Sequence, residues 1–467
     1  MSHIETHSHP VASLFQSLAE TVSQRIDEHK NGASDSAQSR PTVGDPMVDV
    51  ANTIAGYITT GEDIPKDPTA ELVAKHGAGI KDLWDCASIS AQLLDAKAKG
   101  DTAKAAQLED ELKFSTCDPH WIEAITQYVD FFGLDGKKGE IPYVRYQQMD
   151  DFVINQLPKN ARIALVGDWG TGTEDAIDLL KQVAKHNPDV LIHLGDIYYA
   201  GTPDECQKYF LDIVDQVFDR TSGRVPAYTL CGNHDVYSGG VGYYGILPKL
   251  NPAPPFATGW AQQASYFALR SPRWQLLAMD TGLHDQDPFH VVDSVTYLDP
   301  QEEAWHVDKI RSFSEGGGRT ILLSHHQLFS AFSGIGKGAI NENLQGSWQK
   351  FQAAGGASGI AGWFWGHEHN LCVYEPFAGL QKGRCIGHGA IPAFLSPSPY
   401  QPLANIEPLP ALVDAPGEAG KKLELATSGS VYDHGFAILE LDDDALTAKA
   451  SYYQSSQPDQ AMFVEQI

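Results

Sequence analysis

Five short runs in this 467-residue chain set acids, an amide and imidazoles directly after apolar stretches. They are "GDWG" (167–170), "GDIYY" (195–199), "GNHD" (232–235), "SHHQ" (324–327) and "GHEH" (366–369). Together they offer Asp168, Asp196, Asn233, His234, Asp235, His325, His326, His367 and His369. Carboxylate, amide oxygen and imidazole form a borderline-hard donor set suited to zinc, iron or manganese. The two histidines of "GHEH" stand two residues apart. On an extended strand end they share a face and could serve neighbouring metals; on a helix they would diverge. Each run alone is a modest signal, because a Gly-Asp after a strand is often just a turn and Asn-His can cap locally. All five in this order, each closing an apolar run, point to a functional site. "GDIYYAG" adds Tyr198 and Tyr199 where the chain should be turning. Both phenols could pack against a sheet, or one could reach a metal.

The elements that must carry these residues read as follows. "RIALVGDWG" is a strand, "TEDAIDLLKQVAKHN" a helix capped by Thr173, and "DVLIHLGDIYYAG" a second strand and turn, which makes a βαβ unit. "CQKYFLDIVDQVFD" reads as a helix and "VPAYTLCGNHD" as a third strand. Further strands are expected in "ASYFALRS", "WQLLAMDT", "RTILLSHH", "IAGWFWGHEH", "GRCIGHGAIPAF" and the alternating end "GFAILELDDDALTAKASYYQ". The expected class is α/β: a β-sandwich flanked by helices over 156–467, preceded by a mostly helical accessory region over 1–155. Open α/β sheets gather active residues at the carboxyl ends of their strands, where these motifs lie. His3, His7 and His9 read as a solvated terminus, and His284, His290 and His388 as loop or structural histidines. The glycine-rich 330–348 suits a lid or a plain surface loop, and 395–415 a surface connection.

Composition narrows the function. The chain is 42% hydrophobic, ample for a large core, and its formal charge is -27. That field repels nucleic acid and anionic membranes, so neither is an expected partner. An anionic substrate would need a local positive centre, which bound metal could supply. The first thirty residues lack the basic segment and apolar core of a signal peptide, and no run reaches transmembrane length. Six cysteines without CxxC spacing fit reduced thiols. The expected location is cytoplasmic.

The motif order resembles the calcineurin-like metallophosphoesterases, and within them the purple acid phosphatases: a first GD, a second GD, GNH with an acid after it, a lone His, and GHxH. The likeness runs from about residue 161 to 370. A tyrosine three residues after the second aspartate marks the purple branch, and here that position is Tyr199, with Tyr198 as its packing neighbour. The resemblance implies two metal ions, Fe(III) with a divalent partner (Fe, Zn or Mn). It assigns Asp168, Asp196, Tyr199 and His369 to the first and Asp196, Asn233, His325 and His367 to the second, with Asp196 bridging through its two oxygens. It implies His234 as general acid, oriented by Asp235, and His326 near the substrate. The implied reaction is hydrolysis of a small phosphorylated substrate, a phosphomonoester, by in-line attack of a metal-bound hydroxide. A phosphodiesterase or nucleotide hydrolase is the alternative on the same scaffold. A scaffolding protein with a vestigial site is the rival from another class.

Overall fold

The computed structural model describes residues 64–76, 120–133 and 138–467, apart from 289–294, 357, 396–397 and 430, together with isolated positions between 53 and 113. Residues 1–52 of the expected helical region, with the early histidines, and His290 lie outside the described residues.

The chain divides into two compact units, Met1–Ile122 and Glu123–Ile467. In the first, helix α1 (Ala70–His76) is described, and the buried Trp84 donates its indole N–H to the Pro65 carbonyl at 3.0 Å. Helix α2 spans His120–Phe132. In the second unit the order is β1 (Val153–Ile154), β2 (Arg162–Val166), α3 (Glu174–Lys185), β3 (Val190–His193), a helical run from Pro203 to Phe218, β4 (Ala227–Thr229) and α4 (Val241–Leu250). Then come β5 (Phe267–Arg270), β6 (Trp274–Ala278), α5 (Pro300–Glu315), β7 (Arg319–Leu323), α6 (Glu342–Gly355), β8 (Ile360–Trp365), β9 (Leu371–Val373) and β10 (Gly383–Ile386). The chain closes with a small hairpin, β11 (Thr427–Ser428) and β12 (Val431–Tyr432), and with β13 (Gly435–Asp442), β14 (Thr447–Gln454) and β15 (Phe463–Gln466).

These strands form two large mixed sheets, ordered β1-β5-β6-β7-β8-β10-β9 and β15-β14-β13-β2-β3-β4. Period-two alternation explains how the second sheet is covered. Ile163 and Leu165 of β2, Val190 and Ile192 of β3, and Leu439 of β13 face a core shared with β6, β7 and β8. Ala164, Val166, Leu191 and Ile438 face the opposite way, against Leu179, Leu180 and Val183 of α3 and Phe210 and Val214 of the helical run. A mixed α/β architecture with helices on a sheet pair is thus observed, as the apolar periodicity predicts. Thr173 caps α3, accepting from the Ala176 N–H at 3.3 Å.

Three details differ from expectation. Residues 143–154, counted by sequence with the accessory region, lie within the second unit. Tyr143 donates to Glu302 at 2.6 Å, Arg145 pairs with Asp299 at 2.8 Å, and β1 pairs with β5. Within 395–415 the chain is not purely superficial. Tyr400 and Leu412 are buried, and the Tyr400 hydroxyl bonds the Leu371 carbonyl at 3.2 Å. The two sheets are also joined near their edges: buried Arg384 of β10 donates through Nε and Nη2 to Glu465 of β15, at 2.5 and 2.7 Å. Lys382 and Tyr452 bond the same carboxylate.

Candidate metal centre

Each motif follows directly on a strand: Asp168 on β2, Asp196 on β3, Asn233 on β4, His325 on β7, and His367 and His369 on β8. Parallel pairing of β2, β3 and β4, and of β7 with β8, brings their carboxyl ends to one place. The turns that follow are sharp. Asp168, Asp196 and His367 hold φ of 54°, 74° and 67°, a region that costs a non-glycine residue about 1–3 kcal/mol and persists where surroundings over-determine it. Gly232 permits a close approach, since a Cβ there would lie 2.1 Å from Asp196 Oδ1.

The side chains fall into two wings that share one oxygen. In the first, the Tyr198 hydroxyl lies 3.1 Å from Asp168 Oδ1, 3.1 Å from Asp196 Oδ2 and 3.2 Å from His369 Nε2. In the second, Asn233 Oδ1 lies 3.2 Å from His325 Nε2 and 3.1 Å from His367 Nδ1, and the two ring nitrogens are 3.2 Å apart. Asp196 Oδ2 is 3.3 Å from His325 Nε2, so a single oxygen faces both wings. The expectation that Asp196 would use its two oxygens is corrected, because Oδ1 is occupied by the His234 backbone N–H at 3.0 Å.

Tyr199, expected as the phenol ligand, is replaced in that position by Tyr198. The resemblance placed Tyr199 there by its offset of three from Asp196; in this chain β3 ends at His193 and the turn runs through the positive φ of Gly195 and Asp196. Ile197 bridges Gly170 and packs into the outer core, which brings the next residue, Tyr198, over the carboxylates. Tyr199 contributes its backbone: its N–H donates to Glu205, and its carbonyl accepts from His234 Nδ1 at 2.8 Å.

Asp235, expected to orient His234, does other work. Its carboxylate accepts the N–H groups of Gly232, Asp196 and Ile197 at 2.7, 2.9 and 3.1 Å, so it shapes the Asp196 turn. The Tyr199 carbonyl orients His234 instead. With Nδ1–H so engaged, His234 Nε2 is the edge turned toward the site, 4.0 Å from Asp196 Oδ2, in a side chain 15% exposed. Glu205 gathers the N–H groups of Tyr199, Ala200 and Thr202, which fixes the turn that carries Tyr198. Sequence reasoning missed this residue, although "TPDE" is a readable capping box. It also missed Tyr237, one helical turn after Asn233. Tyr237 accepts from Asn233 Nδ2 at 2.6 Å and so aims the amide oxygen at the histidines.

The electrostatics point to a cation. His325 Nδ1–H donates to the Leu194 carbonyl at 2.9 Å, so Nε2, once deprotonated, would turn its lone pair toward an amide oxygen, a carboxylate and a second imidazole nitrogen. Burial opposes a charge on His325, yet Asp196 raises its pKa to about 9. Burial pushes the Asp168 carboxyl well above its ordinary range against the pull of His325. Burial also opposes charge on Asp196, but His325 and His234 hold its carboxyl low. Donors about 2.0–2.2 Å from one tetrahedral cation lie about 3.3–3.6 Å apart. The acceptor spacings in both wings are close to that value, so the residues present fit metal. Among the described residues, two groups gather metal-ligating atoms within 4.8 Å: Asp168, Asp196 and His325, and His325, His326 and His367.

Over residues 161–371, a span containing every one of these ligand candidates, the chain matches the calcineurin-like phosphoesterase family. These residues form a calcineurin-like phosphoesterase domain. Human tartrate-resistant acid phosphatase type 5 is 34% identical to this chain over 110 residues, which are 20% of this chain and 34% of that protein. The chain spans about a third or less of the length of the curated relatives it matches. Among solved structures, GAP50, the anchor in the inner membrane complex of Plasmodium, aligns over 66% of this chain and 88% of its own, at 13% identity and TM-score 0.41. Purple acid phosphatase PPD1 from yellow lupin aligns over 66% of this chain and 53% of its own, at 16% identity and TM-score 0.39. No helix among the described residues of the phosphoesterase domain or its flanks is long and apolar enough to cross a membrane.

Proposed function

We propose that this chain is a dinuclear metal-dependent phosphoester hydrolase acting on small phosphomonoesters, with Fe(III) in the first wing and Fe, Zn or Mn as divalent partner in the second. The observation that carries the reading is the pair of carboxylate, phenol, amide and imidazole clusters that meet at Asp196 Oδ2, with neighbouring donor atoms 3.1–3.3 Å apart. Bound cations would supply electrophilic charge to phosphoryl oxygens and acidify water. The protein's own part follows from its side chains. Asp168, Asp196 and the Tyr198 phenol give the first wing negative charge suited to a trivalent ion. Asn233, His325 and His367 are neutral, so a cation there keeps its pull on substrate. His234, fixed through Nδ1, turns Nε2 toward the site, where it can protonate the leaving-group oxygen.

We further propose that residues 1–155 are accessory to chemistry, since every candidate ligand lies after them, and that the protein is cytoplasmic. The test is elemental analysis of the purified chain alongside hydrolysis of an aryl phosphate and an aryl phosphodiester. Two metals per chain with faster monoester turnover are expected. Two metals with no turnover of either ester would overturn the enzyme reading, and faster diester turnover would overturn the substrate.

A further inference from the structure

We infer that Asp285 and Thr281, acting through His326, are positioning residues for the second wing: they commit both ring nitrogens of His326 to the protein and make that ring a wall behind His367 instead of a ligand. The inference rests on the dinuclear reading above.

His325 and His326 are consecutive, yet both turn toward the cluster, with ring centroids 4.9 Å apart. Together with His367 they place three ring nitrogens within 4.8 Å. Three converging imidazoles would ordinarily suggest a zinc site. Hydrogen-bond accounting points elsewhere. The His326 backbone N–H donates to Thr281 Oγ1 at 2.9 Å. Asp285 Oδ2, a carboxylate oxygen 2.9 Å from Nε2, accepts, so Nε2 carries the ring proton. Nδ1 is then left to accept the Thr281 hydroxyl proton at 3.0 Å. No lone pair is left for a metal.

The held ring instead lies against His367, with centroids 4.4 Å apart and planes tilted by 42°. His367 meets Asn233 Oδ1 and His325 Nε2 on its Nδ1 edge. Swinging His367 off that edge would require His326 to move, and His326 is bonded at three points. The clamp itself is rigid. Asp280 Oδ1 accepts the N–H groups of Gly282 and Leu283, and Thr296 Oγ1 donates to the Thr281 carbonyl at 2.5 Å. Asp285 and His326 are both 5% exposed or less.

Zinc titration of the metal-stripped full chain tests this. Asp285→Ala should weaken the second equivalent of zinc about 10–100-fold, the usual cost of losing an outer partner, and leave the first unchanged. Asp285→Asn should stay within about threefold, because its amide oxygen still accepts the Nε2–H. The cobalt(II) spectrum of the second site should broaden in Asp285→Ala alone. Two results would overturn the inference: unchanged zinc affinity in Asp285→Ala, or loss of a whole metal in His326→Ala while Asp285→Ala binds normally. Should Asp285→Ala fail to fold, ring nitrogen shifts of His326 in the zinc-loaded wild-type protein decide; an Nδ1–H tautomer or a zinc-shifted ring refutes the clamp. If the zinc-loaded protein hydrolyses no phosphate ester, the proposed activity fails while this inference stands on the binding data.

Discussion

The Asp168–Tyr198–His369 wing of the centre carries acidic side chains, whereas the Asn233–His325–His367 wing is built from an amide and imidazoles, and the two are supported differently. The charged wing is steadied through its backbone. Asp235 and Glu205 accept six N–H groups from Gly232 and from the turn between Asp196 and Thr202. The neutral wing is steadied ring by ring: Leu194 holds His325, Tyr237 holds Asn233 and His326 backs His367. Exposure does not divide them: each wing has one partly exposed imidazole, His369 and His367, and its other side chains are buried. Charged groups attract a cation from any direction, so fixing the loop is enough. A neutral lone pair attracts only along its axis, so each ring must be aimed.

The strongest test strikes the oxygen the wings share. Asp196→Ala should lose both metals and cut turnover on the order of 10⁴-fold, as when members of a catalytic unit are removed. Metal analysis showing one wing still filled would mean that the two are independent. His234→Ala comes next, because it touches neither wing as a ligand. Both metals should remain while turnover drops on the order of 10²–10⁴-fold. The loss should shrink for aryl esters whose leaving groups need no proton; equal losses across leaving groups would remove His234 from its role.

Tyr198→Phe should cost less, about tenfold in first-wing metal affinity. If that wing holds Fe(III), the same change should bleach a visible phenolate band, and Tyr199→Phe should leave it. A band that survives in Tyr198→Phe and vanishes in Tyr199→Phe would reverse the assignment drawn from geometry.

The smallest effect separates the wings by pH. The Thr281–Asp285 loop behind the neutral wing follows Asp280, whose backbone N–H donates to Glu302 at 2.8 Å. Burial raises the Asp280 carboxyl from 3.8 to about 7 and the Glu302 carboxyl from 4.5 to about 8. A folded pKa above the unfolded one means that the stability is complete below about pH 4 and is lost as pH rises through 7 and 8. Glu302→Gln should flatten that decline, narrowing the fall in Tm between pH 5 and 8.5 by about 3 °C. Thermal unfolding of the two proteins at both pH values checks it, and equal falls would discount Glu302.

Much of this was legible in the chain. Apolar runs closing on Gly-Asp, Gly-Asn-His and Gly-His-Glu-His located the strand ends, and the six positions Asp168, Asp196, Asn233, His325, His367 and His369 converge in space. What was illegible lay off the strands. Tyr198 displaced Tyr199 because a family offset counted along the sequence does not register how this turn, beyond the end of β3, orients its side chains. Asp235 serves backbone N–H groups that no sequence pattern reveals. Thr281 and Asp285 stand 45 and 41 residues from His326, a separation that only the fold can close.

The Arg384–Glu465 pair has a consequence for how the molecule is made. A ribosome delivers Asp168 long before Glu465, yet buried Arg384, in the strand paired with the one that carries His367 and His369, has no carboxylate partner until β15 emerges. The sheets therefore cannot be tied together at this point before β15 is in place, and until then the Arg384 guanidinium lacks the carboxylate it is buried against.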